Sequence, residues 1–310
     1  MSEIVFSAII PVSAKDAESQ NLKDLIFSIK AQDFPQDQIE ILVITEGDSE
    51  QAKAIGIRQA KGEICAMFCA DNYIVAKNLF SVVASLFNVN KMVSGLYTRH
   101  YCKVLEDNSL NRYFSLIGGN DPISFYLGKN DRLPAYLQDE NIFFEYQVFG
   151  NKIPSLGDNG FFYWREKILK ADLDHYYPMD CAVDLINKGE NRFIRLNFPC
   201  IWHRTSDNLI SFLKRRYRYA RDLYSDRQDR RWKMLDTRED YMRLAIFILC
   251  TVTVIPCLMV SFKGFAKIKD PAWAWHWPVC FGFLITYSIL ALRNWVKYGQ
   301  FFQCPQPSAS

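Results

Sequence analysis

Between residues 4 and 99 the chain alternates short, nearly unbroken apolar runs with amphipathic stretches, and that alternation restricts its fold more than any other feature. EIVFSAIIPV is followed by a segment that puts Leu22, Leu25, Ile26 and Ile29 on one helical face. IEILVIT, SEQAKAIGIRQAKG, EICAMFCAD, NLFSVVASLF and KMVSGLY continue the pattern, giving three or four βα units. Strands without polar alternation are buried on both faces, so the expected class is α/β, a parallel sheet covered by helices on each side. Ligands of such sheets bind beyond the carboxyl ends of the strands. No GxGxxG follows the first strand, which argues against a dinucleotide-binding dehydrogenase.

Three acidic turns therefore stand out. Asp71 and Asn72 close the third apolar run, where a carboxylate can hold a divalent cation or simply make a turn or cap. Glu46 follows the second run and reads either as a contact to a nucleotide base and ribose or as a turn acid. Residues 100–160 are rich in Asn, Asp, Gly and Pro, and long irregular segments in compact domains often carry function. In SLGDNGFF, Asp158 and Asn159 can hydrogen-bond a sugar or acceptor, with Gly157 and Gly160 allowing close backbone approach, or the stretch is a plain tight turn.

The last third has another character. Leu244–Phe262 carries no charge, and in Trp273–Leu292 only His276 can ionise, so each run is long enough to span or nearly span a bilayer. Trp273, Trp275, Trp277 and Trp295 flank the second run as interfacial aromatics do. Before them, residues 207–243 form a basic segment in which Leu209, Ile210, Leu213, Tyr217, Ala220 and Tyr224 recur at helical spacing among Lys214, Arg215, Arg216, Arg218 and Arg221. That pattern is expected of a helix lying on an anionic membrane surface, or of a solvated charged helix. Arg227, Arg230, Arg231, Lys233, Arg238 and Arg243 precede the first run and Arg293 and Lys297 follow the second, so both termini are expected to be cytoplasmic. Pro256 leaves a shallow re-entrant hairpin as the alternative to two spans.

Nine scattered cysteines, an odd number without paired spacing, read as reduced thiols of a cytosolic compartment. Cys65 and Cys69, four apart, share one strand face as small core residues rather than a zinc pair. A net charge of +3 with its basic residues late in the chain does not suggest a nucleic-acid binder. The N-terminus lacks the positive charge of a secretory signal.

Taken in order, IIPVSAK, ITEGDS and KAIGIRQAKGEICAMFCADN resemble the family-2 glycosyltransferases, with their DDGS-like turn, RNxGIxxAxGE stretch and DxD strand end. SLGDNGFFYWREKIL is similar to that family's glycine-rich acceptor-side turn and MDCAVDLINKG to its acidic catalytic segment, so the resemblance covers residues 4–205. It implies a GT-A nucleotide-diphospho-sugar transferase domain over 1–206. The basic helical segment at 207–243 and a membrane hairpin at 244–310 then make the chain similar to membrane-attached bacterial and archaeal members. By the same resemblance Pro11, Glu46, Lys53, Asp71 and Asn72 are expected at the nucleotide. Asp71 and His203 are expected on a divalent cation, Mg²⁺ or Mn²⁺, and Cys69 stands where the first acid of DxD belongs.

Asp180 or Asp184 is expected as the base of an inverting transfer, Asp180 by its distance from Gly189. Gln228, Arg231 and Trp232 read as QxxRW, which processive members place at the acceptor channel, although two apolar runs are too few for such a channel and a basic membrane-facing role is expected instead. The implied partners are a nucleotide-diphosphate sugar, a lipid-linked acceptor (polyprenyl phosphate or a lipid-linked glycan) and membrane lipids, at the cytoplasmic face of a multi-pass membrane protein. A membrane-anchored scaffold without chemistry is the competing reading. Monomer and homo-oligomer both stay open.

Overall fold

The computed structural model describes residues 3–137, 141–149, 153–224 and 230–298. The chain opens as β1 (Phe6–Pro11), α1 (Gln20–Lys30), β2 (Ile39–Ile44), α2 (Ser49–Gln59), β3 (Ile64–Met67), β4 (Asn72–Ile74), α3 (Leu79–Val89) and β5 (Gly95–Thr98). Local chemistry explains the starts of both early helices. The Ser19 hydroxyl accepts from the Leu22 amide at α1, and Asp48 with Gln51 forms a capping box at α2. There follow α4 (Ser109–Ile117), α5 (Pro122–Leu127), β6 (Phe143–Gln147), β7 (Phe161–Trp164), α6 (Arg165–Ile168), α7 (Pro178–Asn187), β8 (Arg192–Leu196) and β9 (Ile201–His203). Four helices finish the described chain: α8 (Leu209–Tyr224), α9 (Arg238–Thr253), α10 (Ile255–Lys267) and α11 (His276–Tyr298).

Seven strands form one sheet in the order β2-β1-β3-β7-β5-β8-β6. β1 pairs in parallel with β2 and β3, aligning Pro11 with Ile44 and Ile9 with Met67, so the carboxyl ends of these three strands share one edge. The sheet is mixed rather than parallel, because β7 enters antiparallel between β3 and β5, and β6 closes the far edge antiparallel to β8. An inner strand must be apolar on both faces whatever its direction, so FFYW in β7 carried no sign of its orientation. Successive residues of β3 face opposite layers. Cys65 and Met67 join one buried cluster, while Ile64 and Ala66 join a second that holds Phe6, Phe80 and Phe162.

The C-terminal helices differ from a two-span hairpin in two ways. The first apolar run is divided between α9 and α10, which meet at 92°. The break falls at Val254, a β-branched residue held at φ 66°, two places before Pro256, which cannot continue an incoming helix. Second, the connection to α11 is tied to the globular domain. Asp270 is buried there between Lys103 and Arg112, each 3.2 Å away, and Trp275 Nε1 donates to Ser109 Oγ at 2.8 Å. Among the described residues one helical stretch, Pro271–Lys297, is long and apolar enough to cross a membrane. Exposed apolar side chains nonetheless line all three helices, among them Leu249, Val252, Met259, Phe262, Ile289 and Val296.

Candidate functional site

The short ladder between β4 and β9 assembles the centre of the site. Asn72 pairs with His203 and Tyr73 with Trp202, and the Arg204 amide donates to the Asp71 carbonyl at 2.9 Å. This pairing brings together two residues 132 positions apart, with His203 Nε2 3.4 Å from Asp71 Oδ2. Asp71 Oδ1 is buried and makes no hydrogen bond. An open carboxylate oxygen beside an imidazole nitrogen, at the carboxyl edge of parallel strands, is a donor set suited to a hard or borderline divalent cation. The Tyr101 ring lies 5.5 Å from the His203 ring and backs it.

The turn at 157–160 supplies the second wall. Gly157, Asn159 and Gly160 all have positive φ. A side chain at Gly157 would meet the Pro178 carbonyl and one at Gly160 would meet Ile201, so both positions require glycine for conformation and for space. The turn aims Asp158 at Lys53, whose Nζ is 3.2 Å from its Oδ2, while Cys69 Sγ and the Asn159 amide donate to its Oδ1 at 3.3 and 3.0 Å. Burial alone would raise the Asp158 carboxyl, but the Lys53 ammonium overrides it and holds the group below the usual aspartate value. Burial works the other way on Lys53, and Asp158 and Glu50 more than offset it, keeping the ammonium charged. For Cys69, burial and then the Asp158 charge push the thiol well above its ordinary range. Cys69 is therefore a protonated donor at the site, not a core residue on a strand face: β3 ends at Met67, two residues too early.

A fully buried guanidinium, Arg132, fixes this turn from behind. It donates to the Asn159 carbonyl and to Asp131, to Tyr101 Oη at 3.0 Å and to Thr98 Oγ1 at 3.2 Å. Arg132 lies in the loop-like segment NDRLP, and nothing local in the sequence signals its role.

These walls enclose a cavity of about 340 Å³ whose lining includes Asp71, Asp158, His203, Arg215, Met179 and Trp232. Helix α8, expected on a membrane surface, also forms part of the cleft. Phe212 on its inner face packs on Phe114 and Phe283, and Arg216 pairs with Asp121. Arg215 donates to the Thr205 carbonyl and pairs with no carboxylate among the described residues.

The expected site residues are therefore divided. Asp71, Asn72, Asp158, Asn159 and His203 come together, Asn72 Nδ2 donating to Asn159 Oδ1 at 3.2 Å. Pro11 ends β1 at the same edge, and Glu46 is exposed beyond β2 with no part in the cavity wall. Lys53, expected at the diphosphate, is only 2% exposed and lies behind Asp158. Asp180 is 1% exposed, with Oδ2 accepting from Arg230 Nε at 2.7 Å and Oδ1 from Arg230 Nη2 at 3.1 Å and the Trp232 amide at 2.7 Å. Asp184 Oδ2 accepts from the Asp172 amide at 2.9 Å, and its Oδ1 is 2.6 Å from Arg231 Nε. Neither acid lines the cavity. The RRW segment is correspondingly no membrane-facing patch: Trp232 is buried, its indole donates to the Ile153 carbonyl at 2.9 Å, and both arginines latch onto α7. Gln228 lies outside the described residues.

No family model matches the chain, and no curated protein matches it in sequence. Solved structures match its shape. A mannosyltransferase from Pyrobaculum calidifontis, in complex with GDP-Man and Mn²⁺, aligns with TM-score 0.52 and 12% identity over 96% of this chain and 89% of its own. TarS of S. aureus in complex with UDP-GlcNAc aligns at 0.44 and 16% identity, covering 95% and 87%. At such identities the likeness speaks for architecture, and the chain has the mixed α/β fold of the GT-A type glycosyltransferases.

Proposed function

We propose that the protein is a membrane-attached, inverting glycosyltransferase that moves a sugar from a nucleotide-diphosphate donor to a lipid-linked acceptor. The observation that carries this reading is the unpartnered Asp71 oxygen beside His203, in a cavity that Arg215 also lines. Asp71 and His203 would hold a divalent cation, Mg²⁺ or Mn²⁺, and Arg215 would face the donor's phosphates with a guanidinium not already paired to an acid. When bound, such a cation neutralises charge that develops on the diphosphate as it leaves. The complex of the Pyrobaculum mannosyltransferase with GDP-Man and Mn²⁺ supports the same donor chemistry.

A phosphate acceptor, such as polyprenyl phosphate, suits this site better than a hydroxyl. Its oxygen is already ionised, so it attacks the anomeric carbon without losing a proton while the bond to the diphosphate breaks and that electron pair leaves with it. Asp180, with both oxygens engaged, then positions Trp232 at the cavity wall instead of acting as a base. A hydroxyl acceptor on a lipid-linked glycan would require Asp180 or Asp184 to be released first. The exposed apolar face of α9, α10 and α11 supports attachment at the cytoplasmic membrane surface by one face of the protein. Cys69 in the place of an acid favours one other reading, a nucleotide-sugar-binding scaffold without catalysis.

The test is a panel of radiolabelled nucleotide sugars incubated with the full chain, Mn²⁺ and polyprenyl phosphate in mixed micelles. Label entering the organic phase with one sugar is expected. Donor binding by calorimetry with no transfer to phosphate or hydroxyl acceptors would establish the scaffold.

A further inference from the structure

Away from the cleft, three chemically reactive side chains meet where the helical layer joins the globular domain. His276 and Cys280 are four residues apart on α11 and so share a face, and Cys257 stands in the first turn of α10. All three are completely buried, and Cys257 Sγ, a ring nitrogen of His276 and Cys280 Sγ lie within 4.8 Å of one another. A fourth group faces the same point: Tyr126 Oη, from α5, is 3.2 Å from His276 Nε2 and 3.6 Å from Cys257 Sγ. Cys280 Sγ is 3.8 Å from the same nitrogen.

We propose that Cys257, His276 and Cys280 bind a structural zinc ion, with the Tyr126 hydroxyl turned to the fourth position. A tetrahedral zinc with bonds of about 2.0 Å to nitrogen or oxygen and about 2.3 Å to sulfur sets its ligands roughly 3.3–3.8 Å apart. The spacings of 3.2, 3.6 and 3.8 Å fall close to that range. The donor set is soft, two sulfurs and an imidazole, which selects zinc over the magnesium or manganese suited to Asp71. Charge supports the assignment too. Each thiol releases one proton on binding, and two thiolates with one divalent ion leave a neutral cluster, the least costly state for a buried site in an apolar helical layer. Behind the ligands, His276 Nδ1 is 2.9 Å from Tyr113 Oη. Donation from Nδ1–H to that oxygen leaves the Nε2 lone pair directed at the metal, as the outer partners of zinc-bound histidines do. An ion here fastens α10 and α11 to each other and, through Tyr126 and Tyr113, to α5 and α4 of the globular domain.

The full chain, purified in detergent without chelator, is expected to carry about one zinc per molecule by elemental mass spectrometry. Cys250→Ser and Asp71→Asn should keep that zinc, whereas Cys257→Ser with Cys280→Ser should lose at least nine tenths of it. Should the double variant fail to fold, the wild-type chain, stripped and titrated with Co²⁺, answers the question alone. A strong thiolate-to-cobalt absorption band, removed by added Zn²⁺, is expected. Wild-type protein that binds neither ion, metal retained by the double variant, or a Cys257–Cys280 disulfide found on peptide mapping would each overturn the proposal.

Discussion

Asp71, half-buried, and Asp180, fully buried, are acids beside the same cavity, and their surroundings differ in one respect. At Asp71 the fold supplies a single neighbour, His203, and leaves one oxygen without a hydrogen bond. At Asp180 it supplies a two-point guanidinium and a backbone amide, so both oxygens are already engaged. An acid that is closed off by its partners contributes structure; one that is left open retains the capacity for chemistry. The contrast teaches that position beside a cleft is a weaker guide to role than the state of the lone pairs.

The strongest way to break the comparison is at its open end. Asp71→Asn keeps the shape of the side chain and removes the charge, so cation-assisted nucleotide binding should fall sharply and turnover should drop roughly a thousandfold, about 4 kcal/mol of transition-state stabilisation. Calorimetry with UDP and GDP in the presence and absence of Mn²⁺, together with turnover on the preferred donor, measures both. A variant as active and as metal-responsive as wild type would remove Asp71 from the site.

At the closed end the expected loss is in folding. Asp180→Asn strips the charge from the two-point partner of Arg230 in a buried setting, at a cost of about 3 kcal/mol in a denaturant titration. Adding Arg230→Gln should recover part of it. Turnover measured well below the melting range should change far less than in Asp71→Asn. A folded Asp180→Asn protein without turnover would restore this acid as the catalytic base and reverse the comparison.

Glu190 provides a closed acid remote from the cleft. Burial would raise its carboxyl, but Lys170, Lys167 and Ser94 hold it down to about 2, against an ordinary value of 4.5. A depressed folded-state pKa stabilises the protein fully above the unfolded value, and the contribution disappears as pH falls from 4.5 towards about 2. Glu190→Gln should therefore cost about 2 kcal/mol at neutral pH, and the gap to wild type should close through that acid window. A gap that persists at the acid end would make the effect one of packing rather than charge.

The sequence made the open end of this comparison easier to read than the closed end. Near-continuous apolar strands place β1, α1, β2, α2 and β3 by local pattern alone, and the acid ending the third run falls where such a sheet binds ligands. The antiparallel entry of β7 and the β4–β9 ladder depend on pairing between distant segments, which leaves no periodic trace; His203 was approachable only through family likeness. The latch is harder still. Asp180 and Arg230 are 50 residues apart, and an arginine in a basic run looks the same whether it faces lipid or a buried acid. In the C-terminal third, Pro256 did mark the bend, but the burial of Asp270 between Lys103 and Arg112, which ties the connection to the globular domain, is again a long-range event.

The smallest expected effect sharpens the comparison most, because it concerns the residue that stands in place of an acid. Cys69 donates its S–H to Asp158, and burial beside that carboxylate keeps the thiol protonated. Cys69→Ser preserves a donor of similar size and should alter stability by no more than about 0.5 kcal/mol, with nucleotide binding unchanged. Cys69→Asp is a different substitution. It sets a second carboxylate against Asp158 over the one ammonium of Lys53, so about 1 kcal/mol of stability should be lost without metal and regained as Mn²⁺ is added. If the aspartate variant gains stability from Mn²⁺ no more than wild type does, the cation does not reach this wall and Asp71 with His203 defines its whole protein contact. If it gains more, the cleft is one residue away from a two-carboxylate site, and the thiol joins Lys53 and the Asn159 amide in keeping Asp158 closed while Asp71 stays open.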